Sequence, residues 1–228
     1  MTLSDLQLQA NFPLLASATV LLDRKLRKGD YDRVLLSSRD CYLQAHLWRR
    51  VFPATPYEVI YWQTSRWARI KGSLDYLDYC RALFKGKALI VDLCGTGESL
   101  ETLFLRLGMN CEYLLIQSDP RKNHRHWLTG PGDLEGLNCA PHPTVEDACY
   151  LGKPVYSNPL NVDWWKYFEE IGGSAFFQLC RWKDSYSEFI DASDEDLLLR
   201  MRLAEALIHE SNSLFEPWHQ LRRNEDWQ

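Results

Sequence analysis

No stretch of this chain holds about 18 apolar residues free of charge, so no segment is suited to crossing a bilayer as a helix. No Cys-x-x-Cys pair occurs. The seven cysteines, at 41, 80, 94, 111, 139, 149 and 180, are odd in number and scattered. That excludes a zinc ribbon and fits reduced thiols better than a disulfide framework. The Gly-Lys-Ser/Thr ending of a Walker A loop is absent, as is the Gly-x-Gly-x-x-Gly dinucleotide turn. There is no internal repeat and no low-complexity tract. Met1 to Val20 carries Asp5 and no basic residue, which argues against a signal peptide and predicts a cytoplasmic location.

What is present is an ordinary globular composition, 46% hydrophobic and 25% charged over 228 residues. It excludes wholesale disorder, collagen and coiled coil, and at about 150 residues per domain it allows one large domain or one with an appendage. The net charge of −5 conceals an asymmetry: residues 1–130 hold 18 Lys/Arg against 13 Asp/Glu, and residues 131–228 hold 8 against 18. A positive first part suits a phosphate-bearing ligand; an acidic second part argues against direct nucleic-acid binding. The nine tryptophans read as core or interface anchors.

Thr2 to Leu26 reads as a helical arm broken near Pro13 and closed by Lys28-Gly29-Asp30. Val34-Leu35-Leu36 predicts a strand, followed by the polar turn Ser37 to Asp40 and a helix carrying Leu43, Leu47 and Val51. Tyr57 to Trp62 is a second strand, Gln63 to Gly72 a polar basic loop, and Ser73 caps a helix ending at Lys85-Gly86. Ala88 to Val91 is a continuous apolar strand of the kind buried on both faces of a parallel sheet. The turn Asp92 to Ser99 follows, then a helix from Leu100 to Leu107 and a strand from Cys111 to Gln117. This alternation predicts an α/β fold, a doubly wound and mostly parallel sheet with its ligand at the C-terminal strand ends. The organisation expected is an N-terminal helical arm (1–29), an α/β core (30–119), and a mixed, helix-containing C-terminal region (120–228) packed on the core. In that region Pro120 to Pro159 should be irregular, with helices at Trp164 to Ile171, at Ala175 to Trp182, and from Ser193 through Ile208.

Two turns carry the chemistry. In the second, Gly95 and Gly97 let the backbone present N–H groups at a helix N-terminus, and the hydroxyls of Thr96 and Ser99 add donors, beside Glu98. That arrangement holds a monoester phosphate, with Asp92 placed to accept hydrogen bonds from sugar hydroxyls. An ordinary β–α turn with a Ser/Thr cap is the competing reading. For Ser38-Arg39-Asp40, a polar helix cap competes in the same way.

The run Ala88 to Ser99 resembles the phosphoribosyl pyrophosphate loop of the type I phosphoribosyltransferases: hydrophobic strand, two acids, two spacers, a small residue or Asp, then Thr-Gly-x-Thr/Ser. Val91 stands where the family has its first acid, and Gly95 where many purine-handling members have Asp. The resemblance implies a phosphoribosyltransferase-like fold, with Thr96, Gly97 and Ser99 cradling a 5′-phosphate and Asp92 holding ribose hydroxyls. Ser38-Arg39-Asp40 is similar to the family's pyrophosphate loop. There the Asp40 carboxylate could share a bridging Mg²⁺ with phosphate oxygens. Arg66 lies where the family has its lid, and with Arg39 would stabilise departing pyrophosphate. These motifs cover residues 31–117. A second, weaker likeness, carried by Ser-Arg-Asp, Ser65-Arg66, Val91-Asp92 with Gly-Thr, and Leu137 to His142, is to the domain appended to haloacid-dehalogenase-type hydrolases in bacterial surface-polysaccharide proteins. The hydrolase aspartate motif is missing, so no phosphatase activity is implied.

His124, His126, Cys139 and His142 match no closed zinc site, and we assign no metal ligand. Arg121, Lys122 and Arg125 read as a solvated loop; Glu135 and Asn138 stay unassigned. The reading is a phosphoribosyltransferase-like protein that binds a phosphorylated ribose or nucleotide and transfers phosphoribosyl or cleaves an N-glycosidic bond. The catalytic candidates are Asp92, Arg39 and Arg66; the binding candidates are Ser38, Asp40, Gly95, Thr96, Gly97, Glu98 and Ser99. The alternatives are a nucleotide sensor without turnover, and an interaction subunit of a larger bacterial assembly, with a protein partner or a second copy of the chain. By analogy alone the latter extends to an antiviral-defence effector.

Overall fold

The computed structural model describes residues 1–118, 126–130, 133–138, 140, 144–148, 152–156, 179, 182 and 186–225. Helix α1 (Leu3–Leu6) opens on a capping box between Thr2 and Asp5. One π turn, Gln7–Asn11, carries it into α2 (Phe12–Gly29). The irregularity expected near Pro13 is this π turn rather than an interruption: Asn11 and Phe12 stay in the right-handed helical region, and Pro13, which has no N–H to donate backward, follows directly in α2. Asp30, in the left-handed region, ends the helix.

The chain then alternates: β1 (Arg33–Ser37), α3 (Tyr42–Val51), β2 (Glu58–Trp62), α4 (Arg66–Lys71), α5 (Leu74–Leu83), β3 (Ala88–Gly95), α6 (Glu98–Leu107), β4 (Glu112–Ser118) and β5 (His126–Thr129). The five strands form one parallel sheet in the order β2-β1-β3-β4-β5. The fold is therefore α/β, as the alternation predicts. Three boundaries differ from the sequence reading. The basic segment 63–72 is not a loop, because Ser65 caps α4 by accepting from the Ala68 N–H at 3.1 Å. β3 runs on to Gly95, since its pairing with β4 continues to Ser118. β5 adds a strand in the stretch expected to be irregular.

Alternating side chains divide the core. Leu36, Leu89, Val91 and Ile116 meet α2 and α3 on one face. Leu35, Ile90 and Leu115 meet α4, α5 and α6 on the other. Downstream lie α7 (Asp133–Gly136) and an antiparallel pair, β6 (Val145–Ala148) with β7 (Pro154–Tyr156). Then come α8 (Tyr186–Ile190), α9 (Asp194–Glu210), a 3-10 turn (Asn212–Phe215) and α10 (Glu216–Glu225). α9 begins at Ser193, as expected, and buries Leu197, Met201, Ala204 and Ile208 along α2. The helix expected at Trp164 to Ile171 lies outside the described residues, as does all of Ala175 to Trp182 except Leu179 and Trp182. Among the described residues no helix is long and apolar enough to cross a membrane.

Candidate functional site

The sheet order places the site. From β1 the chain crosses through α3 to β2 on one side. It then returns through α4 and α5, on the opposite face, to β3 on the other side. The connections therefore diverge between β1 and β3, and the crevice at the carboxyl ends of two such strands is where doubly wound sheets bind ligands. The two turns singled out from sequence leave these two strands.

The first turn spans Ser38 to Cys41. Its Ser38–Arg39 peptide is cis. Ser38 Oγ donates to the Thr64 carbonyl (2.6 Å) and accepts from the Thr64 N–H (2.9 Å), which ties the turn to the end of β2. Cys41 Sγ lies 3.7 Å from the Val91 carbonyl and fastens the turn to β3. Arg39 and Asp40 are half-buried.

The second turn is tighter than the expected Asp92 to Ser99. Gly95 has φ +149° and Gly97 φ +76°, backbone conformations that glycine adopts without strain. A Cβ on Gly95 would meet nothing within 4 Å, so the backbone there faces open space. A Cβ on Gly97 would sit 2.8 Å from the Tyr113 hydroxyl. No side chain caps α6, whose first turn holds Glu98 and Ser99. Such an end leaves N–H groups for an incoming anion. Thr96 and Ser99 are half-buried beside it.

Asp92 lies inside β3, beside Leu115, with its carboxylate engaged at both oxygens. Oδ1 accepts from the Leu93 N–H (3.1 Å), and Oδ2 accepts from Arg69 Nη1 (2.8 Å). Arg69 is 5% exposed and is the residue that sequence reasoning missed. Besides Asp92, it reaches Ser99 Oγ through Nη1 (3.2 Å) and Thr64 Oγ1 through Nε (3.1 Å), and its guanidinium lies 5.1 Å from the Trp62 ring centre. Burial disfavours its charge, but Asp92 above all holds the pKa above the ordinary arginine value. Arg66, favoured from sequence, is exposed in the first turn of the same helix. The structure thus gathers Ser38, Asp92 and Ser99 around Thr64 and Arg69. Gly95, Thr96, Gly97 and Glu98 form the adjoining turn, and Arg66 stays outside this cluster.

The crevice carries several carboxylates. Burial pushes the Asp40 carboxyl well above the usual range, and the negative charges of Glu135 and Asp92 push it further, against the pull of Arg39 and Arg69. Burial, with Asp92 and Asp40, raises the Cys41 thiol, and burial, with Glu135, Asp40 and Asp92, raises that of Cys94, so neither is a ready nucleophile. Glu135, on α7, enters this field although its sequence context carries no motif. Asn138 instead joins a buried amide cluster, donating to Asn11 Oδ1 at 3.0 Å.

Of the weighed zinc candidates, His126 Nε2 lies 3.0 Å from Thr129 Oγ1, while His124, Cys139 and His142 lie outside the described residues. Among the described residues no group of three or more His, Cys, Asp or Glu is arranged to hold a metal ion. The donor set suits Mg²⁺ only as an ion taking most of its shell from phosphate and water. Two shallow hollows lined by Tyr31 lie at the opposite, N-terminal end of the strands, away from both turns.

No family model matches the sequence, and no curated protein does. Among solved structures the chain is similar to a purine phosphoribosyltransferase from Pyrococcus horikoshii Ot3, with TM-score 0.30 and 15% identity over 51% of this chain and 81% of that one. At that score the likeness carries no argument, and the reading of the site rests on its geometry.

Proposed function

We propose that this chain binds a phosphorylated ribose or nucleotide across the carboxyl ends of β1 and β3, as a phosphoribosyltransferase-like protein. One observation carries the reading. At the point where the sheet's connections diverge, a glycine turn facing open space leads into a helix end that no side chain caps, with two hydroxyls beside it. A monoester phosphate there receives N–H groups of α6 and the Thr96 and Ser99 hydroxyls, each a charge-assisted bond. A second phosphate reaches the Ser38 to Asp40 turn, where Arg39 supplies positive charge. Mg²⁺ held by Asp40 together with ligand oxygens would offset the local negative charge.

In transfer, the bond from C1 of the ribose to the pyrophosphate oxygen breaks, and pyrophosphate leaves with the electron pair. A nitrogen of the acceptor base forms the new bond to C1 and loses its proton to solvent. Arg39 stabilises the departing charge. A second reading, binding without turnover, is favoured by Asp92, whose two oxygens are already engaged by Leu93 and Arg69.

Calorimetric titration with phosphoribosyl pyrophosphate and Mg²⁺, paired with an assay for pyrophosphate release in the presence of nucleobases, tests both. Saturable binding with release supports transfer. Binding without release supports the sensor, and no binding of this ligand, of ribose 5-phosphate or of nucleotides overturns the proposal.

A further inference from the structure

We infer that Arg69 is a positioning residue for this site: it turns the Ser99 hydroxyl proton outward to the ligand phosphate while anchoring Asp92. The inference rests on the phosphate reading above and adds the device that makes Ser99 a donor.

A guanidinium has five donors and no acceptor, so in its 3.2 Å contact with Ser99 the serine oxygen can only accept. The hydroxyl proton must then point elsewhere, and among the described residues it has no acceptor. Thr102, one turn later in α6, shows the usual outcome, donating to the carbonyl four residues earlier, at Glu98 (2.8 Å). Ser99 lies in the first turn and has no helical carbonyl behind it to take its proton. The proton is left for whatever occupies the end of α6.

The guanidinium is held for this task at Nε, at Nη1 and over one face. Nε is spent on Thr64 Oγ1, Nη1 on Asp92 and Ser99, and the plane lies by Trp62. The Arg69 carbonyl accepts from Arg106 Nη1 (2.9 Å), which ties α4 to α6. Through Thr64, which exchanges two hydrogen bonds with Ser38, the same side chain braces the first turn. Because Arg69 is 5% exposed, it acts through Ser99 and Asp92 rather than on the ligand.

The test is a mutant cycle read by calorimetry with ribose 5-phosphate. Ser99→Ala is measured in the wild type and in Arg69→Met/Asp92→Asn, a pair chosen so that no buried charge is left alone. In the wild type Ser99→Ala should weaken binding at least about tenfold, the size of a charge-assisted bond. In the paired background, where the hydroxyl is free to turn, the same change should cost less than about threefold. Melting curves check folding. If the pair does not fold, Arg69→Lys replaces it, since a lysine keeps the charge but cannot span Thr64, Asp92 and Ser99 together; the Ser99→Ala effect should shrink there too. An equal Ser99→Ala effect in both backgrounds overturns the role of Arg69 alone. If the wild type binds phosphoribosyl pyrophosphate or a nucleotide but not ribose 5-phosphate, the cycle is read with that ligand and the same outcomes apply; failure to bind any of the three overturns the phosphate reading itself.

Discussion

Asp40 concentrates the electrostatic cost of the crevice in one carboxyl group. Burial comes first, and Glu135 and Asp92 add to it, so the folded protein holds this proton more tightly than the unfolded chain, where an aspartate titrates near about 3.9. The folded state therefore binds more protons, and stability falls as pH rises from about 4 until the raised pKa is passed. Asp40→Asn keeps the shape without the charge. Its melting temperature should match the wild type near pH 4 and exceed it at pH 7; superimposable profiles would show that Asp40 ionises without penalty. Legibility at this scale was uneven. Ser38, Asp40 and the glycine turn could be found because turns announce themselves in residue type. Arg69 could not, because a segment read as loop gives no reason to prefer it to Arg66. Recognising Ser65 as a cap would turn the segment into a helix but would not choose between the two arginines, since residues three apart share a helix face. Only the contacts with Thr64, Asp92 and Ser99 single out Arg69.

Among the elements, β3 and α6 do the most to shape the site, and their junction depends on Gly97. Its φ of +76° and the Tyr113 hydroxyl, which donates to Glu101 Oε1 at 2.9 Å, leave no room for a side chain. Gly97→Ala should cost about 1–2 kcal/mol from the left-handed backbone alone, seen as a lower midpoint in urea unfolding. An unchanged midpoint would mean that the turn adopts another conformation. The apolar run 88–91 announces a buried strand, but not where it ends. Asp92 reads as the end because a charged residue is costly inside a sheet. It is tolerated there because Arg69 arrives from α4, a contact between residues 23 apart that no local pattern carries. Likewise, a proline in a helical run signals an irregularity without saying of which kind, and before Pro13 the chain makes a π turn and stays helical.

Over the whole molecule, the strand–helix alternation was enough to predict the parallel sheet. The short β5 and the β6–β7 pair, in a stretch rich in Pro, Gly and Asn, were not. The N-terminal helices are joined to the region beyond the sheet by buried amides rather than apolar contact alone. Gln7 Nε2 donates to the Leu137 carbonyl (2.6 Å), Asn11 Nδ2 to Gln7 Oε1 (2.6 Å), and Asn138 Nδ2 to Asn11 Oδ1. Asn11→Ala would strand these partners inside the protein at a cost of about 1–3 kcal/mol. The change should show in urea unfolding, and a loss below about 0.5 kcal/mol would mean that water replaces the amide. The central claim is that the crevice between β1 and β3 receives a phosphate at the end of α6. Amide NMR during titration with ribose 5-phosphate tests it most directly. The account predicts saturating shifts that are largest at Gly97, Glu98 and Ser99; shifts confined to the opposite strand ends around Tyr31, or none, would contradict it.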